Sequence, residues 1–192
     1  MKSKSDGIAH FQLDPSKRTI LVFGGSQGSR PINMHILKAI NFYGGSEIFQ
    51  LLWQTGYTDY QRIYQTAKLY SNIKILPFIQ HMEYAYAIAD LAVCRSGAMT
   101  VAELIHSGVP SILIPLPHAA AGHQEYNAME LEKKGAALVV FQRELPEGKL
   151  EKTITRIFKN PEILKVMKTN LKMMERPGAA ERIVTRALGL LK

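Results

Sequence analysis

The chain lacks several features that would place it in a specialised class of protein. Its 192 residues include a single cysteine, Cys94, which excludes an internal disulfide framework and fits a reducing compartment. There is no run of about 18 apolar residues, so no membrane-spanning helix is predicted. The segment Met1–Asp6 has no apolar stretch of the secretory kind, so no signal peptide is expected. The remaining composition, 46% hydrophobic and 21% charged, is typical of one globular domain.

The excess of positive charge is unevenly distributed. The chain carries 24 basic and 16 acidic side chains, a formal net charge of +8. Residues 19–140 hold eight of each sign, whereas residues 141–192 hold twelve basic and six acidic side chains. Because no basic cluster is interleaved with aromatic side chains, nucleic acid is not an expected partner. The C-terminal charges fit solvated helix faces, or an anionic membrane surface or partner, and the sequence leaves these open.

Short apolar runs alternate with helical patterns through most of the chain. Strands are predicted at 19–23, 47–53, 73–76, 91–94, 111–114 and 136–141. Helices are predicted at 31–42, 57–70, 82–89, 99–107 and 124–134, and the pattern after Pro146 is helical only. This alternation predicts an α/β fold, a Rossmann-like parallel sheet with helices on both faces and a helical C-terminal tail. Such sheets bind ligands at the carboxyl ends of their strands, so the loops there are the candidate sites.

The first of these loops is the glycine-rich segment Gly24–Arg30. Glycines permit backbone conformations that side chains block, and free amides at the following helix start suit an anion such as a diphosphate. Ser26, Gln27 and Gly28 are the candidate contacts. The segment is neither a Walker motif nor a clean GxGxxG pattern. A tight strand-to-helix turn without a ligand is the alternative.

The second loop, Cys94–Glu103, repeats this arrangement of strand, small-residue turn and helix. Ser96, Gly97 and Ala98 offer amides and a hydroxyl to phosphate. Glu103 follows in the early turns of the helix, where its carboxylate can accept hydrogen bonds from a ribose diol.

Each of these residues also has a structural interpretation. Thr100 and Glu103 have the spacing of a capping box, in which the acid serves only the helix start. Arg95 is equally suited to an anion contact and to a structural ion pair. Cys94 is expected to be a small buried apolar residue, and Trp53 a core residue or a pocket wall.

The third loop, Pro115–Asn127, enters the helix predicted after the fifth strand. Gln124 and Asn127 are one helical turn apart, and their amides match the hydroxyls of a sugar. His118 and His123 lack an identifiable acidic partner, so exposed loop histidines are the alternative to acid–base groups. No His, Cys and Asp set has metal-ligand spacing.

The fourth loop, Pro77–Met82, follows the third predicted strand. Phe78, Ile79 and Met82 can flank a flat base while backbone groups read its edge, although core packing explains the same residues. Taken together, the four loops predict a nucleotide-sugar site. The base lies at 78–82, the ribose at Glu103, the diphosphate at the two glycine turns and the sugar beside Gln124 and Asn127.

The motifs at these loops resemble a known family. Gly24–Gly28, Cys94–Glu103 and His123–Ala128 are similar to the MurG family, the N-acetylglucosaminyltransferases of peptidoglycan synthesis, which have the GT-B fold. The resemblance extends from about residue 8 to about residue 188. It implies transfer of GlcNAc from UDP-GlcNAc to lipid I, forming lipid II with inversion at the anomeric carbon and without a metal in the active site.

The resemblance also assigns roles to residues. It implies that the uracil meets the backbone of Ile79 and that the ribose meets Glu103. The sugar is implied to lie at Gln124, and the diphosphate at the two glycine turns. The predicted substrate-binding set is Ser26, Gln27, Gly28, Phe78, Ile79, Met82, Arg95, Ser96, Gly97, Ala98, Met99, Thr100, Glu103, His123, Gln124 and Asn127.

The resemblance is to the donor-binding half of these enzymes. The predicted domains are a leading segment at 1–18, the donor-binding domain at 19–175, and a helix at 176–192 that would cross to the other half. The acceptor site and the proposed catalytic base belong to that other half, so no catalytic residue is predicted here. The implied location is the cytoplasmic face of the membrane, as a peripheral protein.

Two other interpretations stay open at this level. One is a different GT-B enzyme, such as a UDP-GlcNAc epimerase. The other is a non-enzymatic module that binds nucleotide or membrane through its basic C-terminal region.

Overall fold

The computed structural model describes residues 2–117, 119, 122–175, 178 and 186. The strands are β1 Arg18–Phe23, β2 Phe49–Gln54, β3 Ile73–Leu76, β4 Ala89–Cys94, β5 Ser111–Leu113 and β6 Ala137–Val139. The helices are α1 Lys4–Phe11, α2 Arg30–Lys38, α3 Ile40–Gly44, α4 Tyr57–Ala67, α5 Met82–Ile88, α6 Ala98–Ser107, α7 His123–Lys133, α8 Lys149–Lys159 and α9 Pro161–Met174. A 3-10 segment, Gln142–Glu147, precedes α8.

The six strands form one parallel sheet in the order β3-β2-β1-β4-β5-β6. Strand order reverses between β1 and β4, which pair from Thr19 and Ala89 to Phe23 and Cys94. In a doubly wound sheet, such a reversal opens a crevice at the carboxyl ends of the two central strands. The predicted fold class is therefore confirmed, and the crevice defines where a ligand would bind.

The central strands are largely apolar because helices cover both of their faces. Ile20 and Val22 of β1 face a core layer with α2, α3, α4 and α8. Leu21 and Phe23 face the opposite layer, which α1, α5, α6, α7 and α9 cover. A short apolar run such as Thr19–Phe23 thus becomes a fully buried central strand.

Two helices differ from the sequence prediction. The helix predicted at 31–42 divides at Ala39, whose φ of −94° and ψ of 21° interrupt α2 and start α3. The interruption places Ile40 and Tyr43 in the core. The helix predicted at 176–192 lies outside the described residues, except for positions 178 and 186.

The leading segment 1–18 contains the unpredicted helix α1. Ser3 and Asp6 form a capping box at its start. Gly7 brings the helix against α5, because a Cβ there would lie 2.7 Å from the Tyr84 carbonyl oxygen. His10 stacks on the Tyr84 ring at 4.5 Å. A glycine in mid-helix weakens the local helical signal, and the contact with α5 compensates for it.

Candidate functional site

A crevice of about 500 Å³ lies at the carboxyl ends of β1 and β4. Loops that follow β1, β4 and β5 form its walls, together with the first residue of the 3-10 segment. The residues that line it are Gly24, Gly25, Gly28, Ser29, Pro31, Arg95, Gly97, Thr100, Leu116, Pro117, Gln124 and Gln142. Three of the four predicted loops therefore contribute to one space.

The loop after β1 is shaped by its glycines. Gly25 and Gly28 have φ angles of +95° and +76°, and the Gly28 amide donates to the Gly25 carbonyl at 3.0 Å. A Cβ at Gly28 would overlap the Thr55 carbonyl, whereas one at Gly25 would meet nothing within 4 Å. Gly28 thus allows close packing against β2, and Gly25 faces open space. Ser26 and Gln27 are exposed at the tip of the loop.

The start of α2 has no side-chain cap. Ser29 occupies the N-cap position, yet its hydroxyl makes no capping hydrogen bond and instead accepts one from Arg95 Nη2 at 2.9 Å. The first-turn amides of a helix without a capping side chain attract an anion, and the helix dipole adds to the attraction. Oriented amides beside the glycine loop therefore suit a diphosphate.

Arg95 is the one charged side chain among the described residues that line the crevice. Its Nη1 donates to the carbonyl oxygens of Ile114 and Pro115 at 3.0 and 2.9 Å, and its Nη2 also donates to Gln142 Oε1 at 2.7 Å. The residue is 6% exposed, and burial lowers the pKa of its guanidinium to about 10. Within the described chain no carboxylate pairs with it, so the structure there does not realise the ion-pair alternative. All four of its terminal N–H groups donate within the protein, so an anion in the crevice would interact with its unpaired charge without replacing these hydrogen bonds.

The turn after β4 is anchored to α7 through Ser96. The Ser96 hydroxyl is fully buried and donates to the Gln124 carbonyl at 2.7 Å, and the Ser96 carbonyl accepts from Asn127 Nδ2 at 3.1 Å. The hydroxyl proposed for phosphate is therefore already used within the protein. Gly97 is the open position of this turn, because a Cβ added there would have no neighbour within 4 Å.

The capping-box interpretation of Thr100 and Glu103 is wrong. Helix α6 begins at Ala98 with Gly97 as its N-cap, so Thr100 lies inside the first turn and Glu103 one turn further on. Met99 is 74% exposed at the helix start. Glu103 is exposed and accepts a hydrogen bond from the Tyr86 hydroxyl at 2.7 Å. Its carboxylate is thus free of the helix start and held from one side by Tyr86.

A second hollow, of about 420 Å³, adjoins this carboxylate. Met82, Tyr86 and Glu103 are among the residues that line it. Burial, with the adjacent Glu103 carboxylate, raises the pKa of Tyr86 above its ordinary value. Tyr86 therefore remains a neutral donor to Glu103 throughout the physiological range.

The loop after β3 places Phe78 at the surface, 38% exposed, and Ile79 in the core, 2% exposed. The Ile79 amide donates to Gln54 Oε1 at 2.7 Å. Met82 begins α5 and packs on the core beside Ile79. The loop thus combines the exposed ring of Phe78 with a backbone that is hydrogen-bonded to the Gln54 side chain.

The start of α7 carries the predicted sugar contacts. Gln124 lines the crevice, and its Oε1 accepts from the Leu116 amide at 3.1 Å. Asn127 lies one turn later and reaches the turn after β4, and His123 is exposed. His118 is outside the described residues.

Three contributors to the site were not predicted from sequence: Gln54, Tyr86 and Gln142. Each acts through a side-chain hydrogen bond to a residue distant in sequence. The one local signal was a glutamine at the end of a largely apolar strand, directly before Thr55 and Gly56.

The described residues hold neither a cluster of metal-ligating side chains nor a helix that could span a membrane. No three His, Cys, Asp or Glu side chains come together in a metal-binding arrangement there. Across the same residues, no helix has the length and apolar character needed to cross a bilayer.

Comparison with known proteins identifies the family. Residues 19–183 match the glycosyltransferase family 28 C-terminal domain. The chain belongs to this family. The match begins at β1 and includes every loop of the candidate site.

Individual relatives agree with the family assignment. A UDP-N-acetylglucosamine–N-acetylmuramyl-(pentapeptide) pyrophosphoryl-undecaprenol N-acetylglucosamine transferase of Listeria welshimeri is 43% identical over 98% of the chain and 53% of its own length. The enzyme of the same name from Halothermothrix orenii is 38% identical over 95% of the chain and 51% of its own length. The crystal structure of Acinetobacter baumannii MurG superposes with a TM-score of 0.79 at 29% identity, covering 96% of this chain and 52% of that one. The chain thus spans about half the length of the relatives that it matches.

Proposed function

We propose that this chain is the donor-binding half of an N-acetylglucosaminyltransferase that moves GlcNAc from UDP-GlcNAc to lipid I with inversion, forming lipid II. The observation that carries the proposal is the crevice at the strand-order reversal, where amides of the β1–α2 turn and the Arg95 guanidinium converge. The names of the relatives support the donor and the acceptor. The half-length match supports a shared active site, one half of which lies in this domain.

The proposed donor spans the sheet edge. Its diphosphate lies at the β1–α2 turn and the start of α6, near Ser26, Gln27, Gly28 and the segment 96–100. Its ribose diol meets Glu103, and its uracil meets the 78–82 loop. Its sugar lies towards Gln124 and Asn127, with Asn127 fixing the turn after β4 as well.

We further propose that the diphosphate is held without a metal ion. Helix-start amides and one buried guanidinium supply the positive potential that a divalent cation would otherwise provide. UDP affinity is accordingly expected to be the same with EDTA and with added Mg²⁺. Affinity that requires Mg²⁺ would contradict this part of the proposal.

The isolated chain is expected to bind UDP-GlcNAc weakly and not to transfer the sugar. The acceptor site and the base are proposed to lie in the other half, and catalysis depends on holding donor and acceptor together. The whole enzyme is proposed to work at the cytoplasmic face of the membrane. The basic residues of 141–192 would then favour an anionic bilayer.

Calorimetric titration of the chain with UDP and UDP-GlcNAc tests the proposal. Saturable heat with both ligands, and much weaker binding of ADP, is the expected result. Absence of heat and of a thermal shift at millimolar UDP would overturn it.

Conversion of UDP-GlcNAc to an epimer by the chain alone would favour the epimerase alternative. Co-sedimentation with anionic but not neutral vesicles would support the membrane contact.

A further inference from the structure

Gln54 is a buried polar residue at the carboxyl end of β2. It is 3% exposed, and in the sheet it lies between Phe23 of β1 and Leu76 of β3. Burial of an amide is unfavourable unless both its donor and its acceptor find partners. The partners of Gln54 therefore indicate why a glutamine occupies this position.

The two ends of the Gln54 amide bind two different loops. Its Nε2 donates to the Gly25 carbonyl at 2.9 Å, and its Oε1 accepts from the Ile79 amide at 2.7 Å. Gly25 belongs to the loop proposed for the diphosphate, and Ile79 to the loop proposed for the base. One side chain thus connects the two parts of the nucleotide subsite.

The conformation of Gly25 depends on hydrogen bonds rather than on packing. Its φ of +95° costs little for glycine but is strained for other residues, and a Cβ at this position would have no neighbour within 4 Å. Packing therefore does not define the orientation of this peptide. Its carbonyl is held by two hydrogen bonds, one from the Gly28 amide within the loop and one from Gln54 Nε2, and only the second ties the loop to β2. The neighbouring backbone is anchored independently, since the Thr55 and Gly56 amides donate to the carbonyls of Leu76 and Pro77 at 3.0 Å each.

We propose that Gln54 is a positioning residue for the nucleotide, which sets the Gly25 peptide for the diphosphate and the Ile79 peptide for the base. This inference rests on the proposed function, because it assigns those loops to UDP. Gln54 touches neither phosphate nor base itself. It acts through the two backbones that it holds.

Gln50 provides a matched control within the same strand. It lies on the same face of β2, is 2% exposed, and also joins two segments. Its amide exchanges hydrogen bonds with the backbone of Asp14 at 2.9 and 2.8 Å and donates to Thr19 Oγ1 at 3.1 Å. Four strand residues, about 13 Å, separate it from Gln54, at the end of the strand away from the crevice.

The test compares Gln54→Met with Gln50→Met. Methionine keeps the length of the side chain and removes both hydrogen-bonding ends. Both variants are expected to melt at a lower temperature than the parent chain. Only Gln54→Met is expected to bind UDP about tenfold more weakly, with both the UDP/ADP and the UDP/UMP affinity ratios reduced, because the base loop and the diphosphate loop each lose a hydrogen bond.

Gln54→Glu separates the two ends of the amide. The carboxylate still accepts from Ile79 but cannot donate to Gly25. We expect the preference for UDP over ADP to remain and the gain in affinity from UMP to UDP to shrink about tenfold. This variant also decides the case if Gln54→Met does not fold.

Unchanged UDP/ADP and UDP/UMP affinity ratios in the folded Gln54 variants would overturn the inference. An equal loss of UDP affinity in Gln50→Met would also do so, since it would indicate a general effect on stability. Failure of the parent chain to bind UDP would instead contradict the proposed function. The two failures are thus distinguishable.

Discussion

The Glu103 carboxylate is exposed on α6, yet the Tyr86 hydroxyl fixes its orientation from 2.7 Å. Tyr86 itself is buried beside Phe23 and Cys94 in the core. A carboxylate held in this way keeps one oxygen free to accept from a ligand, and it loses less side-chain freedom on binding than an unrestrained one.

Substitution Glu103→Gln is therefore expected to weaken UDP binding by about 10- to 100-fold, the range for hydrogen bonds to a charged group. Titration with 2′,3′-dideoxy-UDP provides the control, because that ligand lacks the diol and should bind parent and variant alike. Tyr86→Phe is expected to give a smaller loss that also disappears with the dideoxy ligand. Equal weakening of both ligands by Glu103→Gln would contradict the ribose role.

The sequence pattern leaves the roles of some single residues open. It identified Glu103, but it also allowed a capping role, which the start of α6 at Ala98 excludes. It left Arg95 between an anion contact and an ion pair, and the described structure surrounds Arg95 with carbonyls, a hydroxyl and an amide instead. Such partners come from the segment after β5, the N-cap of α2 and the 3-10 segment, so no local pattern encodes them.

At the scale of elements, close packing of the β1–α2 turn on the end of β2 sets the position of α2. Gly28 is the contact point, since a Cβ there would overlap the Thr55 carbonyl oxygen and its φ is +76°. Gly97, on the opposite wall of the crevice, has no such neighbour.

Gly28→Ala is expected to lower the free energy of unfolding by about 1–3 kcal/mol, because the side chain meets both strain and overlap. Gly97→Ala is expected to change it by less than about 0.5 kcal/mol, since its φ of −62° suits any residue. The Gly97 methyl would nevertheless project into the crevice and weaken UDP binding. Urea titrations and calorimetry check both statements, and a stable Gly28→Ala chain would contradict the first.

The elements themselves were largely predictable. All six predicted strands are present, because buried parallel strands give short apolar runs that end at glycine or proline. Helix α1 escaped prediction because Gly7 weakens its local pattern, and contact with α5 supplies the stabilisation. Neither its existence nor the break at Ala39 follows from periodicity alone.

At the scale of the whole molecule, two tyrosines and one cysteine with raised pKa values make the free energy of unfolding fall with pH in the alkaline range. Burial, with the nearby Glu151 carboxylate, raises the pKa of Tyr43 well above its ordinary value of 10.0. Burial and the Glu103 charge likewise raise the pKa of the Cys94 thiol, and the pKa of Tyr86 is raised too. The unfolded chain releases these protons at the ordinary pKa values, whereas the folded chain keeps them.

The stabilisation from these groups is consequently complete below about pH 8.5 and is lost as the pH rises further. Each group contributes a slope approaching about 1.4 kcal/mol per pH unit once the unfolded state has titrated. Arg95 changes the stability in the opposite direction, but only above about pH 10. Its lowered pKa of about 10 makes the folded chain release this proton before the unfolded chain does. Urea midpoints measured between pH 8 and 10.5 should decline, and less steeply for Tyr43→Phe. A flat profile would contradict the assignment.

The family assignment and the fold class followed from sequence and were confirmed by the comparisons and by the sheet. Individual substrate contacts remain predictions, and the C-terminal helix lies outside the described residues. The neutral charge balance of 19–140 implies that the proposed diphosphate would be held by oriented amides rather than by bulk charge.

The sequence by itself determined the alternation of strands and helices, the loops at one sheet edge and the family. These depend on residue type and local spacing, which the chain displays directly. Tertiary structure alone decided which groups in those loops remain available to a ligand. Burial and long-range hydrogen bonds commit the Ser96 hydroxyl and the Ile79 amide within the protein, while Gly97 and Glu103 stay open.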